Sequence, residues 1–168
     1  MVLEGRVHKF GDHIDTDVII PGPYLTQSDP AFLAQHCMEG IDPDFPRRAR
    51  PGDVVVAGRD FGTGSSREHA VLALKGLGIA AVVAESFARI FYRNAINLGL
   101  PVVTAPEAAR AARDGDRVRI DLDRGTVEVN GQVFPAAPFP PLLQQLLLGG
   151  GLVPFVQARL RQASRSAG

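Results

Sequence analysis

A chain of 168 residues with 45% apolar and 21% charged residues has the composition of a globular domain with a core of its own. Its 18 basic and 18 acidic residues cancel to a formal net charge of +0, which excludes nucleic-acid or acidic-membrane binding driven by bulk electrostatics. One cysteine, Cys37, excludes an intrachain disulfide and a thiolate-held zinc or iron–sulfur site within the chain.

Residues 2–10 read as a first strand. Residues 11–17 form a turn-rich loop carrying Asp12, Asp15 and Asp17, and Val18-Ile19-Ile20 is a short apolar run stopped by Pro21-Gly22-Pro23. Those prolines hold Tyr24-Leu25-Thr26-Gln27 on a constrained loop. Ser28-Asp29-Pro30 predicts a helix start, with residues 31–38 following. Pro43, Pro46, Pro51 and the solvated cluster Arg47-Arg48-Ala49-Arg50 mark residues 40–52 as a surface connection. From residue 53 to 103 the pattern alternates: strand 53–57, helix 70–77, apolar strand 79–84, a helix opened by Ser86 and closed by Gly99, then strand 100–103. That order predicts parallel pairing with helical crossovers.

The pattern then changes. Residues 106–113 read as a short helix, and strict alternation over 117–122 marks a half-exposed strand. Asp123-Arg124-Gly125 and the hairpin signal Asn130-Gly131 turn the chain through two further strands. Helices are expected over 141–148 and 152–161, with one domain spanning 1–162 and a disordered tail over 163–168. The fold class is α/β, a mixed and mainly parallel sheet flanked by helices, with an appended β-meander and C-terminal helices. No apolar run reaches the roughly 18 residues of a membrane span and residues 1–6 lack a signal segment, so a reducing cytoplasm is the expected location.

The chemistry concentrates between strand 53–57 and helix 70–77, in Gly58-Arg59-Asp60-Phe61-Gly62-Thr63-Gly64-Ser65-Ser66-Arg67-Glu68-His69. A strand, a glycine-rich turn and a helix start present unpaired N–H groups and a positive dipole end, which attract anions. The absence of a lysine after Gly64 excludes a Walker phosphate loop. Arg67 stands where a dinucleotide fingerprint requires glycine or alanine, and neither serine has the flanking glycines of a nucleophile elbow. What remains is a site for a small carboxylate or phosphate. Arg67 has the planar fork that grips a carboxylate through two N–H groups. Ser65 or Ser66 would have its alkoxide favoured by the same donors. Ser65 with Glu68 three residues on also fits a capping box, so the residues leave the serine open between cap and base.

Three segments together resemble the swivelling domain of the aconitase family: Gly64-Ser65-Ser66-Arg67-Glu68-His69-Ala70, the run from Ser86-Phe87-Ala88-Arg89 through Asn97-Leu98-Gly99, and the earlier Asp12-His13-Ile14-Asp15-Thr16-Asp17. The likeness spans residues 5–105, and the chain length is similar to that of free-standing small subunits of 3-isopropylmalate dehydratases and homoaconitases. The resemblance implies a hydro-lyase that isomerises a hydroxy acid by dehydration and rehydration. It implies a large-subunit partner holding a [4Fe–4S] cluster as Lewis acid, with no cofactor and no metal bound by this chain. It assigns Ser65 as the base, Ser66 and Arg67 to a substrate carboxylate, and Tyr24, Leu25 and Thr26 to the rest of the substrate.

At Thr26 the chain departs from the family pattern, in which arginine accompanies an extra carboxylate and an apolar residue accompanies isopropylmalate. Threonine has no charge to pair a third carboxylate, which favours isopropylmalate and leucine biosynthesis over homoaconitate and lysine biosynthesis, or another alkylmalate. A stand-alone carboxylate-binding module is the alternative if Ser65 is only a cap. Asp15 and Asp17 read as turn caps or as helpers of the site. Arg89 and Arg93 either support Arg67 or are solvated, and His8, His13, His36 and His69 read as surface or capping residues.

Overall fold

The computed structural model describes residues 1–64 and 67–167, the side chains of residues 155 and 164–167 excepted. Its strands are β1 (Val2–Lys9), β2 (Val54–Ala57), β3 (Ala81–Ala84), β4 (Val102–Thr104), β5 (Arg117–Asp121), β6 (Thr126–Val129) and β7 (Gln132–Pro135). They form one sheet in the order β4-β3-β2-β1-β5-β6-β7. The four strands from β1 to β4 pair in parallel, with Val7 opposite Val54, Val55 opposite Val82 and Val83 opposite Val103. β1 then pairs antiparallel with β5, Gly5 opposite Val118, so the meander continues the sheet rather than standing apart from it. The Asn130-Gly131 turn closes β6 onto β7 with both residues at positive φ, 48° and 89°, as a type I′ hairpin requires.

Every residue of β2 and β3 is buried, because helices cover both faces of this half of the sheet. Each of their valines contributes roughly 1.5–3 kcal/mol by leaving water. The covering helices include α1 (Thr16–Ile19), α2 (Pro30–Ala34), α3 (Phe45–Arg48), α4 (Glu68–Gly76), α5 (Arg89–Leu98) and α6 (Pro106–Ala111). The C-terminal pair is α7 (Pro141–Leu148) and α8 (Leu152–Ala167). Among the described residues, no helix is long and apolar enough to cross a membrane.

Several local expectations change. The run Val18-Ile19-Ile20 lies in and just after the four-residue helix α1, capped where the Asp15 carboxylate accepts from Val18 N at 2.9 Å. The proline-rich connection is not wholly at the surface, since Phe45 is fully buried. His8 is a core residue rather than a surface one: its Nε2 lies 2.7 Å from Asp53 Oδ2, and Phe45 packs edge-on against its ring. Residues 163–167 continue α8 as helical backbone.

Candidate active site

The parallel half of the sheet directs three loops to the carboxyl ends of its strands, the usual place for a ligand in an open α/β sheet. These are the segments after β1, β2 and β3, and backbone hydrogen bonds join them. Gly58 N donates to Gly11 O at 3.0 Å, His13 N to Arg59 O at 2.7 Å, Gly62 N to Ile14 O at 2.7 Å and Thr16 N to Thr63 O at 2.8 Å. On the other side, Phe61 N donates to Ser86 O at 3.1 Å and Ala88 N to Phe61 O at 2.9 Å. The glycine-rich loop is thus clamped between the two other motif segments, which explains why all three occur in one chain.

Side chains reinforce the clamp. Asp12 Oδ1 accepts from Arg59 N at 2.8 Å, and this bond, foremost among the nearby groups, holds the Asp12 carboxyl below its ordinary range. A Cβ at position 58 would fall 1.8 Å from Asp12 Oδ1, so any larger residue there displaces the Asp12 carboxylate from this bond. Ser86 does not cap its own helix: its Oγ accepts from Asp60 N at 2.9 Å, and α5 starts later, with Ala88 as its N-cap. His13 and Asp60 both hold positive φ, 54° and 57°, and their side chains meet at 3.2 Å, Nδ1 to Oδ2.

Between these loops lies a cavity of about 150 Å³ lined by Thr16, Gly62, Gly64, Arg67, Arg89 and Asn94, with Ala88, Ile90 and Phe91 completing its wall. A volume of that order suits a small organic acid better than a nucleotide. Arg67 is the N-cap residue of α4, in extended conformation, and Glu68 is the first helical residue. Ser65, the other member of the capping-box reading, lies outside the described residues. Arg67 Nη1 is buried and ion-paired with Asp17 Oδ1, a charge contact without hydrogen-bond geometry.

A match to the aconitase C-terminal domain covers residues 12–108, more than half of the chain. The chain belongs to that family. The aconitase-type domain here is 53% identical over 163 residues to the 3-isopropylmalate dehydratase small subunit of Moorella thermoacetica, covering 96% of this chain and 98% of that one. It is 50% identical to the protein of the same name from Caldicellulosiruptor saccharolyticus, over 96% and 95% of the two chains. A crystal structure of 3-isopropylmalate dehydratase from Methanocaldococcus jannaschii superposes with a TM-score of 0.93 at 49% identity, covering 99% of each chain. Aconitase X of Thermococcus kodakaraensis, at 19% identity and a TM-score of 0.53, shares the fold alone.

Against this aconitase-type frame the expected site residues separate. Arg67 lines the cavity. Ser65 and Ser66 lie outside the described residues. Tyr24, Leu25 and Thr26 belong to a 3-10 turn, Gly22–Thr26, and do not line the cavity. The Tyr24 ring stacks on His36 at 3.8 Å, and its hydroxyl donates to Glu39, which raises its pKa; Thr26 is exposed. Arg89 and Arg93 part company: Arg89 lines the cavity with Arg67, whereas Arg93 borders a separate depression with Ile96, Leu143 and Leu146. Thr16 and Asn94 are cavity residues the sequence reading missed. Asn94 sits one turn after Ile90 on α5, so helical spacing from Ile90 carried the signal.

Proposed function

We propose that this chain is the small subunit of a 3-isopropylmalate dehydratase, a hydro-lyase that interconverts 2-isopropylmalate and 3-isopropylmalate in leucine biosynthesis. The observation that carries the reading is the Arg67 guanidinium at a small cavity built by the three motif segments, in a chain 53% identical along nearly its full length to a protein of that name. A large subunit is its partner, and the cytoplasm its location.

The donors of this chain do not fit an iron–sulfur cluster. Cys37 is the only cysteine and is fully buried in the core. Among the described residues, no three His, Cys, Asp or Glu side chains gather to hold a metal. In the proposed enzyme a [4Fe–4S] cluster belongs to the large subunit. The residues of this chain bind substrate and move a proton. Arg67 pairs with a substrate carboxylate and Ser66 adds a hydroxyl to it. Ser65, as alkoxide, takes the carbon-bound proton while the hydroxyl leaves the neighbouring carbon, giving an alkene. It returns the proton when water adds in the opposite sense. Tyr24, Leu25 and Thr26 meet the alkyl side of the substrate in the assembled enzyme.

Co-expression with a 3-isopropylmalate dehydratase large subunit, followed by an NMR assay of isomerisation, tests the reading. The isolated chain is expected to be inactive and the complex active. Ser65→Ala should lower kcat by about 10²–10⁴-fold, the span of a lost general base. Activity of the chain without a partner would sink the two-subunit reading, and near-normal turnover by Ser65→Ala would sink the base assignment.

A further inference from the structure

Asp15 and Asp17 are two residues apart and do different work. The Asp15 carboxylate caps α1 by accepting from Val18 N. Asp17 lies in the first turn of α1 and turns its Oδ1 to Arg67 Nη1, joining the loop after β1 to the start of α4. Among the described residues it is the only acid within ion-pair distance of Arg67. Arg67 lines the cavity and Asp17 does not, so the carboxylate holds one edge of the guanidinium from outside the binding volume.

We propose that Asp17 is a positioning residue for substrate binding: it fixes the Arg67 guanidinium so that its remaining N–H groups meet a substrate carboxylate. This rests on the reading of Arg67 as the carboxylate ligand. A long, flexible side chain that is already immobilised loses less freedom when the ligand arrives, and its fork meets the carboxylate in register. The side chain of Asp17 is 63% exposed and that of Arg67 is 24% exposed, so the pair adds little to folding stability. Its value lies in geometry at the site.

The sign of the effect separates this role from simple electrostatics. As a mere negative charge beside the site, Asp17 would repel an anionic substrate, and Asp17→Asn would lower KM. As a positioning residue, it leaves Arg67 loose when replaced, and KM rises. Asp17→Asn is nearly isosteric and leaves the Asp15 cap in place.

The test compares Asp17→Asn and Asp17→Glu with wild type in the reconstituted complex, together with phenylglyoxal modification of Arg67 in the isolated chain, followed by mass spectrometry. For Asp17→Asn, KM for isopropylmalate should rise about 10- to 100-fold with kcat within about twofold, the pattern of lost binding geometry. Asp17→Glu should recover part of that loss, and the urea midpoint of Asp17→Asn should match wild type. In the isolated chain, Arg67 should react several times faster in Asp17→Asn while Arg93 keeps its rate. An unchanged or lowered KM, or an Arg67 rate unaffected by the substitution, overturns the proposal. If the wild-type complex fails to act on isopropylmalate, the functional reading falls separately, and the Arg67 modification rate still decides whether Asp17 holds the guanidinium.

Discussion

Replacing Gly62 by alanine tests whether the cavity is shaped by a contact that only glycine permits. Gly62 holds φ at +86°, and a Cβ built on it would lie 2.2 Å from Phe91 Cγ and 2.4 Å from Phe91 Cβ. Phe91 has little room to retreat: it is 2% exposed and packs edge-on against Phe61 at a centroid distance of 5.2 Å. Two costs combine. The left-handed backbone costs an alanine about 1–2 kcal/mol. Overpacking against a buried ring adds about 1–3 kcal/mol. Gly62→Ala should therefore lose about 2–5 kcal/mol, which at a urea slope of about 1–3 kcal/mol/M moves the midpoint down by about 0.7 M or more. Two further glycines separate the costs. Gly115 has φ +88° with nothing within 4 Å of its Cβ position, so Gly115→Ala should lose only the backbone share. Gly11 has open space and no positive φ, so Gly11→Ala should stay within about 0.5 kcal/mol of wild type. Urea unfolding of the isolated chain, read by far-UV circular dichroism, gives all three values. If Gly62→Ala proves no worse than Gly115→Ala, the contact with Phe91 does not shape this wall.

Two other outcomes follow from the same structure. Thr26→Arg should shift the ratio of kcat/KM toward homoaconitate relative to isopropylmalate, by about tenfold or more if the new guanidinium pairs the extra carboxylate; no shift would locate that choice in the large subunit. The Asp42 carboxyl is held below its ordinary range chiefly by its side-chain hydrogen bond from Arg48, 2.6 Å between Oδ2 and Nη2. A lowered folded-state pKa means the pair stabilises above the unfolded value, near 3.9, and that stabilisation fades as pH falls through the folded value. Urea midpoints measured from pH 6 to pH 2.5 should therefore fall less steeply below about pH 4 in Asp42→Asn than in wild type; parallel curves would remove Asp42 from the acid response.

Regularities within a few residues of sequence translate directly into structure. The buried strands β2 and β3 follow from unbroken apolar runs, and the β6–β7 hairpin follows from Asn130-Gly131. Helix starts at Pro30, Pro106, Pro141 and Leu152 also fall where expected, and one is displaced. Ser86 is a sound N-cap by identity, yet its hydroxyl serves Asp60 N, so α5 begins at Arg89. A capping residue has one hydroxyl, and a loop from a distant strand competes for it. In α1 the cap is local: the Asp15 carboxylate accepts from Val18 N, and Ile20 N closes the turn onto Thr16 O. His8 and Phe45 illustrate the rest: a histidine becomes a core residue when a buried aspartate accepts from it, and no local pattern announces that Asp53 is near.

The site was legible in its residue types and illegible in its connections. Arg67 announces an anion by its chemistry and its place before a helix, and it does line the cavity. Sequence treats Asp15 and Asp17 alike, as carboxylates on a polar loop. The fold tells them apart, because α1 turns one back toward its own N–H groups and the other outward to the guanidinium. The same logic divides Arg89 from Arg93. Four residues of helix return to nearly the same face, but that face is long enough to reach two different depressions, and only Arg89 reaches the one that Arg67 shares. Two guanidinium groups, those of Arg67 and Arg89, thus line one small cavity in a chain whose net charge is +0. That convergence depends on three loops meeting, a property that composition does not contain.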